Sequence, residues 1–209
     1  MSHDHGHGGC GDHIDEHELS WNVLGYQDNL YKQIDRAHVV AFNANGQGRT
    51  VIKPWSERND EASYLESDAD DQLILRVPFT GSVKLRALLL KAGPGDKTPL
   101  KVSLFANENN IDFDDIADKA PTQEFDVPQG RDVGEYQVRA AKFVNISSIT
   151  VFFPASQGAE ETRVYYLGFL GQWSEKKEDP VITVYEAQAN PADHEKIQGM
   201  MGGTQMPQP

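Results

Sequence analysis

The sequence predicts an all-β domain, a β-sandwich or jelly roll, and three observations lead to this fold class. About ten short segments rich in β-branched and aromatic residues lie between residues 38 and 186, and most end at Gly, Pro, Asn or Asp. Several of these segments alternate apolar and polar side chains, as strands with one buried face do. Only residues 29–37 suggest a helix, so the strands must pack against one another.

The first predicted elements are a helix of about two turns over 29–37 and strands over 38–43 and 50–54. Pro54 should close the second strand, because proline has no backbone N–H to donate to a sheet. The three elements precede the most hydrophobic part of the chain.

The next two predicted strands cover 72–79 and 83–92, and Gly81 is suited to a turn between them. Side chains at alternate positions of a strand point to the same side. Each strand therefore has an apolar set that should face one side, namely Leu73, Leu75 and Val77 in the first and Leu85, Ala87 and Leu89 in the second.

The remaining predicted strands follow a second turn, "KAGPGDKTP", over 91–99. They cover 100–106, 124–127, 135–140, 147–155, 163–173 and 181–186. Their short length and number are typical of a sandwich in which two sheets share one core.

The two ends of the chain have the composition of disordered tails. Residues 1–20 contain five His and no Lys or Arg, and residues 193–209 are rich in Gly, Gln and Pro. Such segments bury too little apolar surface to offset the entropy of ordering. The folded domain is therefore expected to cover residues 21–192.

Charge and cysteine content narrow the class of partner. The formal net charge is −13, and a nucleic-acid binder needs a basic surface, so we expect no nucleic acid and a basic protein surface as partner. No apolar run reaches the length of a membrane span, and the first residues have no secretory pattern. Cys10 is the only cysteine, which excludes a dithiol redox site. We expect a cytoplasmic protein, with the nucleus as a second compartment.

The first tail offers side chains that bind transition metals. Imidazole and thiolate groups suit zinc, copper or nickel, but their spacing here matches no structural zinc site. We therefore expect at most weak binding, and no cofactor for the folded domain. The candidate ligands are His3, His5, His7, Cys10 and His13.

The folded part shows no catalytic pattern. Its one histidine is His38, and it has neither a Gly-x-Ser-x-Gly motif nor a cysteine, so we expect no enzymatic activity. The acidic stretch that begins at Asp112 fails as an EF-hand, because Ala117 and Gln123 stand where that motif needs Gly and Glu. The possibility that this acidic loop binds calcium in another geometry stays open.

A Lys-Pro-Trp sequence and an acidic run, over residues 53–72, stand directly before the most hydrophobic segment. The simpler interpretation is structural: Ser67 and Asp68 cap a turn, Asp70 and Asp71 keep it solvated, and Trp55 covers one end of the sandwich. The other interpretation is that these acids form a contact surface.

Several of these stretches together resemble the PITH domain, named for proteasome-interacting thioredoxin. They are "KPWSERND", "YLESDADDQLILRVPFTGSVKLRALLL", "NIDFDDI", "VYYLGFLGQW" and "VYEAQANPADH". The resemblance implies a jelly roll similar to galactose-binding domains and association with the proteasome regulatory particle. The chain lacks the thioredoxin module that precedes this domain in some relatives, so no redox role is implied.

We therefore expect a non-enzymatic protein-binding module, an adaptor or regulator of the proteasome regulatory particle. Two alternatives stay open: a small-ligand or glycan-binding jelly roll, and a metal-handling protein that acts through its first tail. Exposed aromatic side chains beside polar groups would favour a glycan. The candidate protein-binding residues are Asp112, Asp114, Asp115, Glu66, Asp68, Asp70, Trp55 and Trp173.

Overall fold

The structure is a computed structural model and describes residues 28–109 and 111–176. Eight antiparallel strands and one short helix make up this part of the chain. The strands are β1 Val40–Phe42, β2 Leu65–Glu66, β3 Leu73–Ala92, β4 Lys101–Ala106, β5 Gln123–Asp126, β6 Gly134–Gln137, β7 Ile146–Phe153 and β8 Arg163–Ser174, and the helix is α1 Phe113–Asp118. Short 3₁₀ turns cover Tyr31–Gln33, Arg36–His38, Gly48–Val51, Trp55–Glu57, Gly95–Lys97 and Ala140–Lys142.

The long strand β3 belongs to both layers of the sandwich. Its first half pairs with β1 and β7, and its second half pairs with β6 and β8. The pairing with β7 shifts register between Pro78 and Val83, and strands that pass from one sheet to another do so at such irregularities. One layer is therefore β1-β3-β7-β4-β5 and the other is β6-β3-β8-β2.

The predicted turn at Gly81 is wrong, because the chain continues through it as one strand. Gly81 is needed for a different reason. A Cβ at this position would lie 2.5 Å from the carbonyl oxygen of Ser174 and against Nε1 of Trp173, so the close approach of β8 leaves no room for a side chain.

The central core lies between the two layers. The prediction that Leu73, Leu75 and Val77 share one face is confirmed, because all three are buried in this core while Ile74 points to the other face. Ile74 packs there with Phe105 beneath α1.

The predicted common face of Leu85, Ala87 and Leu89 is wrong. The pairing of β3 with β8 shifts by one residue between Leu85 and Ala87, and a one-residue bulge exchanges the two faces of a strand. Leu85 consequently lies in the central core, whereas Ala87 and Leu89 lie on the outer face with Tyr166 and Leu170. We call these last four residues the outer cluster.

Two predicted elements before β2 have a different form. Residues 29–37 make two 3₁₀ turns instead of a helix, because their backbone groups bond to the sheet: Leu30 N donates to Phe169 O at 2.9 Å and Asp35 N to Pro78 O at 2.9 Å. The predicted strand over 50–54 is a 3₁₀ turn followed by irregular chain, with consecutive residues buried. The predicted strand over 181–186 lies outside the described residues.

The helix α1 spans six residues, and no helix in the described part of the chain is long and apolar enough to cross a membrane.

A hydrogen bond links the edges of β5 and β6, since Nε2 of Gln123 donates to the carbonyl oxygen of Gln137 at 3.4 Å. The two layers are thus connected on the side opposite β8.

Candidate functional site

The acidic stretch after β4 forms the capped helix α1. The Asp112 carboxylate accepts a hydrogen bond from Asp115 N at 3.0 Å, and the Asp115 carboxylate faces Asp112 N at 3.5 Å, which is a capping box. Ile116 anchors the helix in the cluster below it. Asp114 and Asp118 are exposed and have no partner among the described residues.

The capping box accounts for two of the acidic residues, Asp112 and Asp115, and leaves Asp114 and Asp118 exposed. Within residues 28–109 and 111–176, no three His, Cys, Asp or Glu side chains are grouped to bind a metal ion. An open groove of about 580 Å³ lies beside α1 and is lined by Asn107, Glu108, Asn109, Ile111, Asp115, Asp118 and Lys119. The stretch is therefore a helix that presents carboxylates next to a polar groove.

Glu66 is the least available of the predicted contact residues. Its side chain is 17% exposed, and its Oε1 lies 2.7 Å from Lys97 Nζ and 2.8 Å from an Arg163 guanidinium nitrogen. Burial alone would raise the pKa of Glu66, but the hydrogen bonds from Lys97 and Arg163 outweigh it and hold the pKa below its usual value. Glu66 thus joins β2, β8 and the turn after β3.

The acidic run before β3 is bonded rather than simply solvated. The Asp70 carboxylate accepts a hydrogen bond from Asn43 Nδ2 at 2.6 Å, and the Asp71 carboxylate accepts one from Ser156 N at 2.8 Å. Asp70 is exposed and Asp71 is half-buried, so these acids form hydrogen bonds within the fold in addition to facing solvent. Asp68 is exposed, and its backbone N–H donates to Asn43 O at 3.2 Å.

Two buried lysines fix the loop after the Lys-Pro-Trp sequence. Lys53 Nζ lies 2.9 Å from Asp60 Oδ2, and Lys91 Nζ lies 2.9 Å from Glu61 Oε1, while each lysine side chain is 6% exposed. Hydrogen bonds from these lysines hold the pKa of Asp60 and of Glu61 below their usual values. The loop is thereby held over the outer face of the second layer, β6-β3-β8-β2.

Trp55 covers that outer face rather than an end of the sandwich. Its ring packs against the outer cluster and meets the Tyr166 ring edge-on at 6.5 Å between centroids. The Arg58 guanidinium stacks on the Trp55 ring at 4.2 Å and donates to the Trp55 carbonyl oxygen at 3.0 Å. Trp55 is half-buried, so only part of its ring can contact a partner.

Trp173 lies elsewhere, at the end of β8 and opposite Val83. It is 42% exposed and packs against Gly81 at the bend of β3. The predicted contact residues are therefore spread over α1, the loops around Asp68, the outer face and the bend. The candidate metal ligands His3, His5, His7, Cys10 and His13 lie outside the described residues.

A groove that sequence reasoning missed lies beside Trp55. It has a volume of about 470 Å³, and we call it the Trp55 groove; it is lined by Asn29, Tyr31, Lys32, Gln33, Pro54, Trp55 and Ser56. Trp55 was a recognisable signal, but the other wall comes from the segment that resembles a helix in sequence. Only the pairing of Leu30 and Asn29 with β8 brings the two walls together.

Buried polar atoms without partners concentrate at this groove. In the part of the chain that the structure describes they are Asn29 Nδ2, Trp55 Nε1, Tyr166 Oη and Thr98 Oγ1. The Asn29 amide and the Tyr166 hydroxyl lie within reach of each other, so these two groups partly compensate one another. Burial raises the pKa of Tyr166, and the nearby Asn29 amide and Arg58 guanidinium offset this only in part.

The amino-acid sequence matches a described protein domain over most of its length. Residues 22–189 match the sequence profile described as the PITH domain. PITH domain-containing protein 1 of Homo sapiens is 37% identical over 201 residues, which cover 93% of this chain and 94% of that protein. The protein of the same name from Danio rerio is 37% identical over 194 residues, which cover 91% of this chain and 90% of the other. These names describe a domain and state no reaction.

Solved structures with a similar fold belong to carbohydrate-binding modules. The CBM32-1 and CBM32-2 domains of Clostridium perfringens ZmpB match with a TM-score of 0.54 at 13% identity, covering 75% of this chain and 39% of that chain. The same domains in complex with GalNAc match with a TM-score of 0.52 at 14% identity, covering 73% and 38%. The predicted all-β jelly roll similar to galactose-binding domains is confirmed.

Proposed function

The chain belongs to the PITH domain family, and from this premise we propose that it is a non-enzymatic adaptor or regulator that binds the proteasome regulatory particle. The resemblance to proteasome-interacting relatives supplies the partner. Such a partner is found in the cytoplasm and the nucleus, which is where we propose that the chain works. The proposal makes the β-domain a binding surface and assigns it no reaction.

The observation that carries this proposal is the surface of α1. Among the residues that the structure describes, Asp114 and Asp118 are exposed without partners. Asp115 on the same helix and Asp112 at its N-cap add two more exposed carboxylates. The chain as a whole has a net charge of −13. Clustered charge of one sign speeds encounter with a surface of the opposite sign and fixes orientation, so a basic surface of a protein partner suits this helix.

The positions of other polar groups support binding rather than catalysis. His38 lies on an exposed 3₁₀ turn with Nδ1 2.7 Å from Asp35 Oδ2, and neither residue lines the Trp55 groove. The groove beside α1 is lined by three acids, Glu108, Asp115 and Asp118, and Glu108 pairs with Lys119 at 2.6 Å. This arrangement presents charge to a partner instead of enclosing a reacting group.

A capture experiment tests the proposal. The full chain, carrying an affinity tag, is expressed in cells that lack the endogenous relative and recovered after gentle lysis at low salt. We expect subunits of the proteasome regulatory particle among the co-purifying proteins, in larger amount than with a tag-only control. Equal amounts in the two samples would contradict the adaptor function.

A small-ligand or glycan-binding function is the second candidate, and one observation favours it. The Trp55 groove places the aromatic rings of Tyr31 and Trp55 beside amide and hydroxyl groups, and such lining suits small ligands. The CBM32 domains named above are described in complex with GalNAc, but their 14% identity carries only the fold. NMR titration of the full chain with galactose and GalNAc tests this candidate, which requires saturable shifts of residues in the groove.

A further inference from the structure

The loop between β1 and the 3₁₀ turn Gly48–Val51 contains the one Asn-Gly pair of the sequence, Asn45 and Gly46. Asparagine is a thermolabile residue, and a glycine after it puts no side chain in the way of its own backbone nitrogen. That nitrogen can attack the carboxamide carbon of the asparagine. Whether the pair reacts in a folded chain depends on its exposure and on the bonds that restrain it.

Both residues of the pair are exposed, and so is Gln47 after them. Among the residues that the structure describes, no group forms a hydrogen bond with the Asn45 carboxamide. The space around Gly46 is open as well, since a Cβ built there would come no closer than 3.6 Å, to Leu65 Cδ1. Water and solvent base can therefore reach both reacting groups.

Asn43, two residues earlier, shows how the same loop protects a carboxamide. Its Nδ2 donates to Asp70 Oδ1 and to the carbonyl oxygen of Gln72, both at 2.6 Å. Its Oδ1 accepts a hydrogen bond from Ala69 N at 2.8 Å. The Asn43 carboxamide is thus held at both ends, whereas that of Asn45 can rotate toward the next backbone nitrogen.

The main chain at Asn45 is anchored to β2, and its bend requires the glycine. Asn45 N donates to the carbonyl oxygen of Glu66 at 2.8 Å, and Ala44 pairs with Ser67 in an isolated bridge. Gly46 has a φ of +135°, which residues with a side chain rarely adopt. Gly46 N donates to the carbonyl oxygen of Ala44 at 3.1 Å, but this bond lies in an exposed bend where water competes with it. The fold therefore retains the labile pair and does not shield its nitrogen.

We propose that Asn45 is a site of spontaneous deamidation. The Gly46 nitrogen loses its proton to solvent base and bonds to Asn45 Cγ, and the carboxamide nitrogen leaves as ammonia. Water then opens the cyclic imide. Opening at Cγ gives an aspartyl residue, and opening at the main-chain carbonyl carbon gives an isoaspartyl residue whose main chain runs through the former side chain. Either product adds a negative charge, and the reaction needs only water, so it does not depend on binding to the proteasome.

The isoaspartyl product lengthens the main chain where the fold has little room. It adds a carbon atom between the hydrogen bond to Glu66 and the 3₁₀ turn that begins at Gly48. Gly48 is buried, and a Cβ there would lie 3.1 Å from Val39 Cγ1 and 3.2 Å from Ala41 Cβ, so this turn cannot shift without disturbing its neighbours. We expect the isoaspartyl form to be less stable than the natural chain. The aspartyl form keeps the natural main chain and should keep its stability.

The test incubates the purified full chain at physiological pH and temperature and follows each asparagine by peptide mapping with mass spectrometry. A synthetic peptide of residues 43–49 is incubated in parallel as the unfolded reference. We expect the carboxamide of Asn45 to be lost in the chain as it is in the peptide, with both products formed. The carboxamide of Asn43 should be retained. Anion-exchange chromatography should separate the converted chain as a more acidic form.

Two variants complete the test. Asn45→Gln lengthens the side chain, which makes ring closure less favourable, so the acidic form should not accumulate. Freshly purified Asn45→Asp should elute with the aspartyl form and unfold at the urea concentration of the natural chain, and the isolated isoaspartyl form should unfold at a lower one.

Retention of the Asn45 carboxamide in the full chain while the peptide is converted would overturn the proposal, because the fold would then protect the pair. Accumulation of the same acidic form in Asn45→Gln would also overturn it, since the change would arise at another residue. Equal urea midpoints for the isoaspartyl form and the natural chain would contradict the expected effect on the fold.

Discussion

Lys53 Nζ lies 2.9 Å from Asp60 Oδ2 and also donates to the carbonyl oxygens of Asp60 and Ser63, at 2.9 and 2.7 Å. This buried lysine closes the loop that carries Trp55, and that loop forms one wall of the Trp55 groove. The Lys-Pro-Trp sequence therefore has a structural purpose: its lysine fixes the loop, and its tryptophan covers the outer face of the second layer.

The first prediction concerns this lysine. Lys53→Met keeps much of the side-chain volume but removes the donor, which leaves carbonyl groups of the loop without a partner. We expect a loss of unfolding free energy of about 1–3 kcal/mol, measured by urea denaturation. Lys142 also donates to a backbone carbonyl, that of Thr122 at 3.0 Å, but it is exposed. Lys142→Met is therefore the matched control and should change stability by less than about 0.5 kcal/mol. Equal unfolding midpoints for both variants would contradict this role of Lys53.

The second prediction concerns the pH dependence of stability. Hydrogen bonds from Lys97 and Arg163 hold the pKa of Glu66 below its usual value of 4.5. Because the pKa is lower in the folded chain than in the unfolded chain, the stabilisation is present above pH 4.5 and is lost as the pH falls through the folded-state pKa. Glu66→Gln should therefore flatten the acid side of the stability curve.

A second variant, at Lys97, tests the same ion pair by the same measurement. Lys97→Met removes one cause of the lowered pKa and should flatten the curve in the same pH range. Unfolding free energies at several pH values between neutral and strongly acidic would show this. If the unfolding free energy of both variants fell at acidic pH as it does in the natural chain, Glu66 would not contribute to the pH dependence of stability.

The third prediction concerns the central core. Leu75 is fully buried in β3, so Leu75→Ala should cost about 2–5 kcal/mol through lost burial and the cavity left behind. Leu100 is 49% exposed, and Leu100→Ala should cost less than about 0.5 kcal/mol. Urea denaturation measures both. A near-neutral effect of Leu75→Ala would place this residue outside the core.

The fourth prediction concerns metal binding by the first tail. Zinc or nickel should bind weakly and only while His3, His5 and His7 are neutral, so binding should weaken toward pH 5 and below. Replacement of the three histidines by Ala should abolish binding, as measured by isothermal titration calorimetry. The folded domain should not depend on the metal. A large fall in melting temperature on addition of a chelator would contradict this expectation.

The fold class could be predicted because strands leave a local signal. Alternation in the first half of β3 indicated that Leu73, Leu75 and Val77 share one face, and Gly or Pro between most segments indicated where strands end. The prediction of strand boundaries and strand faces failed where contacts between distant parts of the chain determine them. Gly81 lies within a strand because β8 passes close to it, and the bulge beside Ala87 exchanges faces without any signal in composition.

The site was less predictable for a related reason. Asp112 and Glu66 were singled out by their charge, but a carboxylate in sequence does not reveal its partners, and both are bonded within the fold. Trp55 was recognised by its size. Its groove could not be foreseen, since the wall that holds Asn29 and Tyr31 is positioned by hydrogen bonds to β8 and not by local propensity.

The most direct test of the central proposal is binding of the purified full chain to purified proteasome regulatory particle, measured by biolayer interferometry over a range of salt concentrations. The variant Asp114→Lys/Asp118→Lys reverses two exposed charges of α1 without touching its capping box. Glu135→Lys/Glu160→Lys changes the net charge equally at exposed positions outside α1. Affinity of the natural chain should fall as salt rises.

We expect the α1 variant to associate roughly threefold to tenfold more slowly than the natural chain at low salt, and the control variant to associate at the natural rate. Equal association of both variants would remove α1 from the interface. No measurable binding of the natural chain at low salt would contradict the adaptor function itself.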